Sequence, residues 1–249
     1  AALDANTTGT ANHAIGTYSL TSNVTGANNT AVGSGSLYNN TTASNNTAVG
    51  YTALLANTTG SEMTAVGGLA LAAATTATGG TAVGFRSLND NTTGSWLTAV
   101  GYDSLGKNTT GNNNTALGAF ALDANTTADN NTAVGYASLG ANTTGTTNSA
   151  LGMEALLTNT AGASNTAVGY QSLKLATTAS NNTSVGYRAL RTTTTGANNV
   201  AVGSSALYTN TTGSANAATG YYALNSNTTG TNNTANGYLA LRYNTTASD

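Results

Sequence analysis

The chain has 249 residues, of which only 6% are charged, and its formal net charge is −2. That balance argues against a nucleic-acid partner, which calls for a basic face. The absence of Cys excludes a disulfide framework or a thiolate metal site. No apolar run approaches the ~18 residues of a membrane span.

Read from the N-terminus, one unit repeats. Leu3 belongs to a clipped copy, and then a glycine recurs every 17 residues from Gly16 to Gly237, each followed four residues later by a leucine, Leu20 to Leu241. The run N-T-A-V-G-Y stands at 46–51, 131–136 and 165–170, with close variants at 114–119, 182–187 and 233–238. The consensus is N-T-A-V-G-Y-x-A-L-x-x-N-T-T-G-x-N. A strict period of this kind overrides a domain-by-domain reading.

Within each unit the elements follow in order. T-A-V-G-Y and x-A-L-x have strand-like length, and no 3.6-residue stripe supports a helix. N-T-T-G and the following G/A-x-N-N are turn chemistry. Two short strands and two turns predict one coil of a parallel β-solenoid (β-roll). The fold class is therefore all-β, with about fourteen 17-residue coils in a single domain over 1–249, a segment of a longer array.

Positions are numbered below from each coil's glycine. Charges occur only at −6, −5, +2, +5 and +6, which predicts that these columns face water. Arg86 with Asp103, and Asp90 with Lys107, are expected to form exposed ion pairs; Glu62 and Asp249 share the −5 column. Leu at +4 is assigned to the interior. Position +3 is only Ala or Ser in the full coils, which implies close packing there. The charge-free columns outnumber what one thin coil can enclose. A second covered face is expected, at a homo-oligomer seam formed by Val32, Val49, Val66, Val83, Val100, Val134, Val168, Val185 and Val202. The coils that lose consensus residues are expected to be the weakest: coil 67–84, whose N-T-T Asn is Ala74, and those where Thr219 and Asn236 replace Val.

Catalytic arrangements are excluded by residue supply. The one His, His13, occupies a drifted repeat position, so a triad lacks its base. No two acids share a column on adjacent coils, and the scattered acids suit no metal. The single glycine per coil is no phosphate loop. The chain is read as non-enzymatic, with no cofactor and no metal.

Three ladders remain as candidates. The N-T-T Asn column, broken at Ala74, Ala176 and Thr193, is read as amides bonded coil to coil, with N-x-[ST] glycosylation as the other reading. An aromatic column at +1, Tyr51, Phe85, Tyr102, Tyr136, Tyr170, Tyr187, Tyr221 and Tyr238, is a possible stripe for sugars or surfaces. Two adjacent Thr columns fill the corner, and only one can point outward. A regular Thr file could order water, as ice-binding proteins do.

The run N-T-A-V-G-Y-x-A-L-x-x-N-T-T-G resembles the repeat arrays of bacterial tail-fibre-domain and trimeric-autotransporter-like surface proteins. T-A-V-G is similar to the S-V-A-I-G signature of YadA-like adhesin heads. The resemblance implies a trimeric β-roll with an adhesive or stalk-forming role, although those heads use a shorter repeat. The expected function is an extracellular structural or adhesive fibre or filament segment, at a cell surface or on a phage-like particle. Its expected partners are its own copies, as a homotrimer or stacked end to end, and glycans or a cell or abiotic surface. The alternative is an ice-binding solenoid.

Overall fold

The computed structural model describes residues 1–248. It contains two compact units, Ala1–Thr127 and Ala128–Asp249; Asp249 itself lies outside the described residues. Both units are β-solenoid built from the same coil.

In the first unit seven three-residue strands pair in chain order: β1 (His13–Ile15), β2 (Thr30–Val32), β3 (Thr47–Val49), β4 (Thr64–Val66), β5 (Thr81–Val83), β6 (Thr98–Val100) and β7 (Thr115–Leu117). The second unit repeats the pattern with β8 (Thr132–Val134), β9 (Ser149–Leu151), β10 (Thr166–Val168), β11 (Thr183–Val185), β12 (Val200–Val202), β13 (Ala217–Thr219) and β14 (Thr234–Asn236). Every pair is parallel and every residue faces the one 17 positions on, as Ala48 faces Ala65. The period in the sequence is thus the register of the ladder.

Each coil has one strand, not the two expected. The A-L segment bends, with positions +2 and +4 in the left-handed region: Thr52 at φ 51 and Leu54 at φ 52, and likewise Gln171 and Leu173 at φ 53 and 51. Leucine disfavours that conformation, so nothing in the sequence marks it. The bend keeps its coil-to-coil bonds all the same. Thr52 N–H donates to Ser34 O at 2.9 Å, and Leu54 N–H to Ala70 O at 3.0 Å. Burial holds the strained leucine in place: Leu20 through Leu224 are fully buried at +4.

The interior is thin. The strand supplies Ala at −2, such as Ala48 and Ala167, and the bend supplies Leu at +4 and Ala or Ser at +3. The recurring glycine ends the strand at φ values of +125 to +143, a region essentially closed to side chains. A Cβ on Gly50 would sit 2.4 Å from Gly67 O.

Two amide ladders close the remaining interior. At +7, Asn57 Nδ2 donates to Asn40 Oδ1 at 2.9 Å and to Gly60 O at 3.0 Å. At −4, Asn46 N–H donates to Asn29 Oδ1 at 3.0 Å, and Asn46 Nδ2 donates to Gly60 O at 2.9 Å. One corner carbonyl therefore joins the two ladders. The first ladder was expected from the sequence. The second was hidden, because its Asn stands among turn residues.

The expected water-facing charge columns divide. Asp103 is only 8% exposed, although it does pair with Arg86 at 3.3 Å. The bend at +2 buries that side chain beside Arg86 of the preceding coil, so the pair is not an exposed one. The expected Asp90–Lys107 pair is not formed. Lys107 instead bonds Asp123 on the following coil at 3.4 Å, and Asp90 accepts from Asn89.

Candidate surface-binding and assembly faces

Alternation along a strand decides what each coil presents. With Ala at −2 turned inward, Thr at −3 and Val at −1 turn outward. The Val column is exposed or half-buried in every coil: Val49 and Val66 are both 36% exposed, Leu117 45% and Leu151 50%. Val32, Val83, Val100, Val134, Val168 and Val185 are half-buried, and Val202 is exposed. Beside it lie Thr30, Thr47, Thr64 and their equivalents. In each unit this makes a face of Thr and Val without a charged side chain.

The aromatic column stands next to it, across the glycine. Tyr51, Phe85, Tyr102, Tyr136, Tyr187, Tyr221 and Tyr238 are exposed, and Tyr170 is half-buried. The column is not one continuous stack. Ser34, Gly68, Ala119, Met153 and Ser204 interrupt it. Its rings stack as pairs: Phe85 on Tyr102 at 5.8 Å, Tyr170 on Tyr187 at 5.5 Å, and Tyr221 on Tyr238 at 5.5 Å.

At the corner the two Thr columns separate as expected. Thr58 Oγ1 donates to Thr75 O at 3.1 Å on the next coil, while Thr59 is exposed. The same holds for Thr177, bonded to Thr194 O at 3.2 Å, and exposed Thr178. The N-T-T asparagines between Asn23 and Asn227 are buried, as at Asn57 and Asn142, which closes those sequons to glycosylation in the folded chain; Asn6 and Asn244 are half-buried. His13 stands exposed on β1. Among the described residues no group of three His, Asp or Glu side chains converges, and no helix is long and apolar enough to cross a membrane.

A polar network in the second unit escaped the sequence reading. Glu154 Oε2 accepts from Lys174 Nζ at 2.8 Å and from Gln171 Nε2 at 2.7 Å. Gln171 Oε1 accepts from Arg188 Nε at 3.1 Å and Arg191 Nε at 3.2 Å, and Arg191 Nη1 bonds the Tyr208 hydroxyl at 3.2 Å. The Lys174 hydrogen bond, and then that of Gln171, holds the Glu154 carboxyl below its ordinary pKa. Arg188 lies over the rings of Tyr187, at 4.9 Å, and Tyr170, at 5.7 Å. Next to it opens a half-enclosed cleft of about 480 Å³ lined by Tyr187, Arg188, Ser205, Tyr208, Tyr222 and Asn225 among others. The available signal was charge order. Between Glu154 and Asp249 the chain has no acid, but it has Lys174, Arg188, Arg191 and Arg242. No family model, curated protein or solved structure matches the chain.

Proposed function

We propose that the chain is a segment of a non-enzymatic extracellular fibre, structural and adhesive, in which the strand face is the seam of a homotrimer. One observation carries the reading: the Thr–Val face, exposed or half-buried and without charge through the coils of each unit. Contiguous apolar ladders of this kind mark interaction surfaces. Copies of one chain are the fitting partner, since a closed rotational assembly brings the same repeating face of every copy to one axis, where the Thr and Val files of one copy can meet those of the next. The neighbouring aromatic pairs remain outside such a seam and are suited to contact with glycans or a surface.

The test is sedimentation beside circular dichroism. The parent chain is expected to sediment as a trimer. Val134→Asp places a charge in the seam and should yield monomers with their β-signal kept. Leu139→Asp places it in the interior and should abolish the β-signal locally. A parent chain that is monomeric at micromolar concentration overturns the seam.

A second reading, binding of ice, is favoured by one specific observation. Thr59 and its equivalents form an exposed file at coil spacing, and Thr at −3 forms a second, mostly half-buried file on the strand face. Ice binding needs that face free. A monomeric chain that shapes ice crystals, and loses the effect with Thr64→Tyr and Thr81→Tyr, would replace the fibre reading.

A further inference from the structure

We propose that the cleft beside Arg188 is a binding site for an acidic saccharide, one bearing a carboxylate on a sugar ring. The inference deepens the adhesive part of the function above and does not depend on the trimer seam.

The carboxylate half of the argument starts from charge. Glu154 is already engaged by Lys174 and Gln171. Beyond it the described chain supplies no further acid. The two guanidinium groups therefore share one neutral acceptor, Gln171 Oε1; the Glu154 charge is felt by Arg191, but no carboxylate bonds either guanidinium among the described residues. Gln171 is only 6% exposed, so its oxygen is a fixed anchor for both. Arg188 commits its Nε to that anchor, and its Nη groups make no hydrogen bond among the described residues. Its contacts with the rings of Tyr170 and Tyr187, at 5.7 and 4.9 Å, further restrain the group. A guanidinium held in this way offers a planar fork that matches a carboxylate.

The sugar half follows from the walls. Tyr187, Tyr208 and Tyr222 line the cleft. Each ring has an arginine over one face, Arg188 on Tyr187, Arg191 on Tyr208 and Arg242 on Tyr222, and the C–H face of a pyranose ring would pack on the aromatic surface that these leave. Arg191 fixes the Tyr208 hydroxyl, and Asn225 is fixed through its Nδ2, which donates to Ser205 O at 2.9 Å. That leaves the Asn225 side-chain oxygen and the Ser205 hydroxyl as partners for sugar hydroxyls. The cleft volume of about 480 Å³ falls within the range of small-ligand sites. The site is confined to these coils. Elsewhere the +2 and +5 columns do not bring Arg, Gln, Lys and Tyr together on consecutive coils.

The experiment is calorimetric titration of the full chain with a galacturonic acid trisaccharide, the neutral galactose trisaccharide and inorganic sulfate. The acidic trisaccharide should bind about ten-fold or more tighter than either. Arg188→Gln should remove that preference. Arg188→Lys should also lose most of it, because charge without the planar fork does not restore bidentate contact. Arg86→Gln, in the first unit, should change nothing. Circular dichroism on each variant shows that the coils are retained. No binding at millimolar acidic saccharide, equal affinity for the neutral sugar or for sulfate, or full retention with Arg188→Lys would each overturn the proposal. Sedimentation of the same samples reports the seam separately, so failure of one reading is not mistaken for failure of the other.

Discussion

Between Met63 and Leu97 the −4 column is apolar, whereas from Asn131 to Asn233 it is amide without a break. In the second region the members from Asn148 to Asn216 bond both neighbours. Asn165 donates to Asn148 Oδ1 through its backbone and side-chain N–H groups, at 3.0 and 3.1 Å, and its own Oδ1 accepts from Asn182 N–H at 3.1 Å. In the first region the ladder ends where Met63 N–H caps Asn46 Oδ1 at 2.9 Å. Gly80 follows, between the buried side chains of Met63 and Leu97. A Cβ on Gly80 would meet Leu71 Cδ1 at 3.6 Å and Met63 Cγ at 3.9 Å, ordinary contacts. The same coils also lose the +7 amide, at Ala74. There Asn57 Oδ1 turns to Gly60 N–H at 3.1 Å. Both solutions fill the same space. The contrast teaches that a buried column is stable as a complete amide network or as a complete apolar one, and that the boundary between them has to be capped. In coil 67–84, expected to be weak for its missing amide, the column position is taken by the buried apolar Ala74 beside Leu71 and Met63.

The largest expected effect comes from breaking the network in mid-ladder. Asn165→Leu strips partners from Asn182 N–H and from Ala179 O, which Asn165 Nδ2 bonds at 2.8 Å. Two buried groups left unpaired should cost about 2–5 kcal/mol. The reverse change, Leu97→Asn, extends a ladder from its end. By the coil's repeat its amide can reach Gly111 O and Asn114 N–H, so the cost should be about 1–2 kcal/mol, mostly lost apolar burial. Urea unfolding of the two variants measures the difference, and equal losses would break the comparison.

A smaller effect should sharpen it. Ala176 interrupts the +7 ladder of the second unit, and Asn159 Oδ1 there is buried without a partner. Ala176→Asn supplies the missing donor and should stabilise the chain by about 1 kcal/mol. Slower amide exchange around residues 159–176 would report it.

The smallest effect is electrostatic. The Glu154 pKa is lowered, by the Lys174 hydrogen bond first. Its contribution to stability is therefore complete above the pKa of the unfolded carboxyl and disappears as pH falls through the lowered folded value. The pair is partly exposed, at 18% and 20% of side-chain area, so the contribution should be under about 1 kcal/mol. The stability gap between the parent chain and Glu154→Gln should close on acidification, and a gap that persists at low pH would contradict this.

Much of the fold could be read from the sequence because the coil's strictest demands fall on single letters. Gly50 and its equivalents admit no Cβ, and Leu54 and its equivalents fill the interior, so both recur with the period. Other features left no such mark. Leu54 and Thr52 adopt positive φ without being residue types that favour it, so the bend looked like a second strand. Asp103 carries a charge, yet it is buried by a bend that the sequence did not disclose. The cleft at Arg188 is assembled from the +2, +5 and +1 columns of several coils. No one repeat contains it, and a reading column by column passes over it.

The glycine column has a genetic consequence. Since a Cβ at Gly169 would lie 2.5 Å from Gly186 O, a point change there disturbs the coil above as well as its own. Duplication of a complete repeat disturbs neither, because each new coil arrives with its own glycine in register. Unequal crossing-over between near-identical repeats is therefore the gentlest way for such a gene to change. Alleles should differ in whole 17-codon steps more readily than at the glycine codon itself.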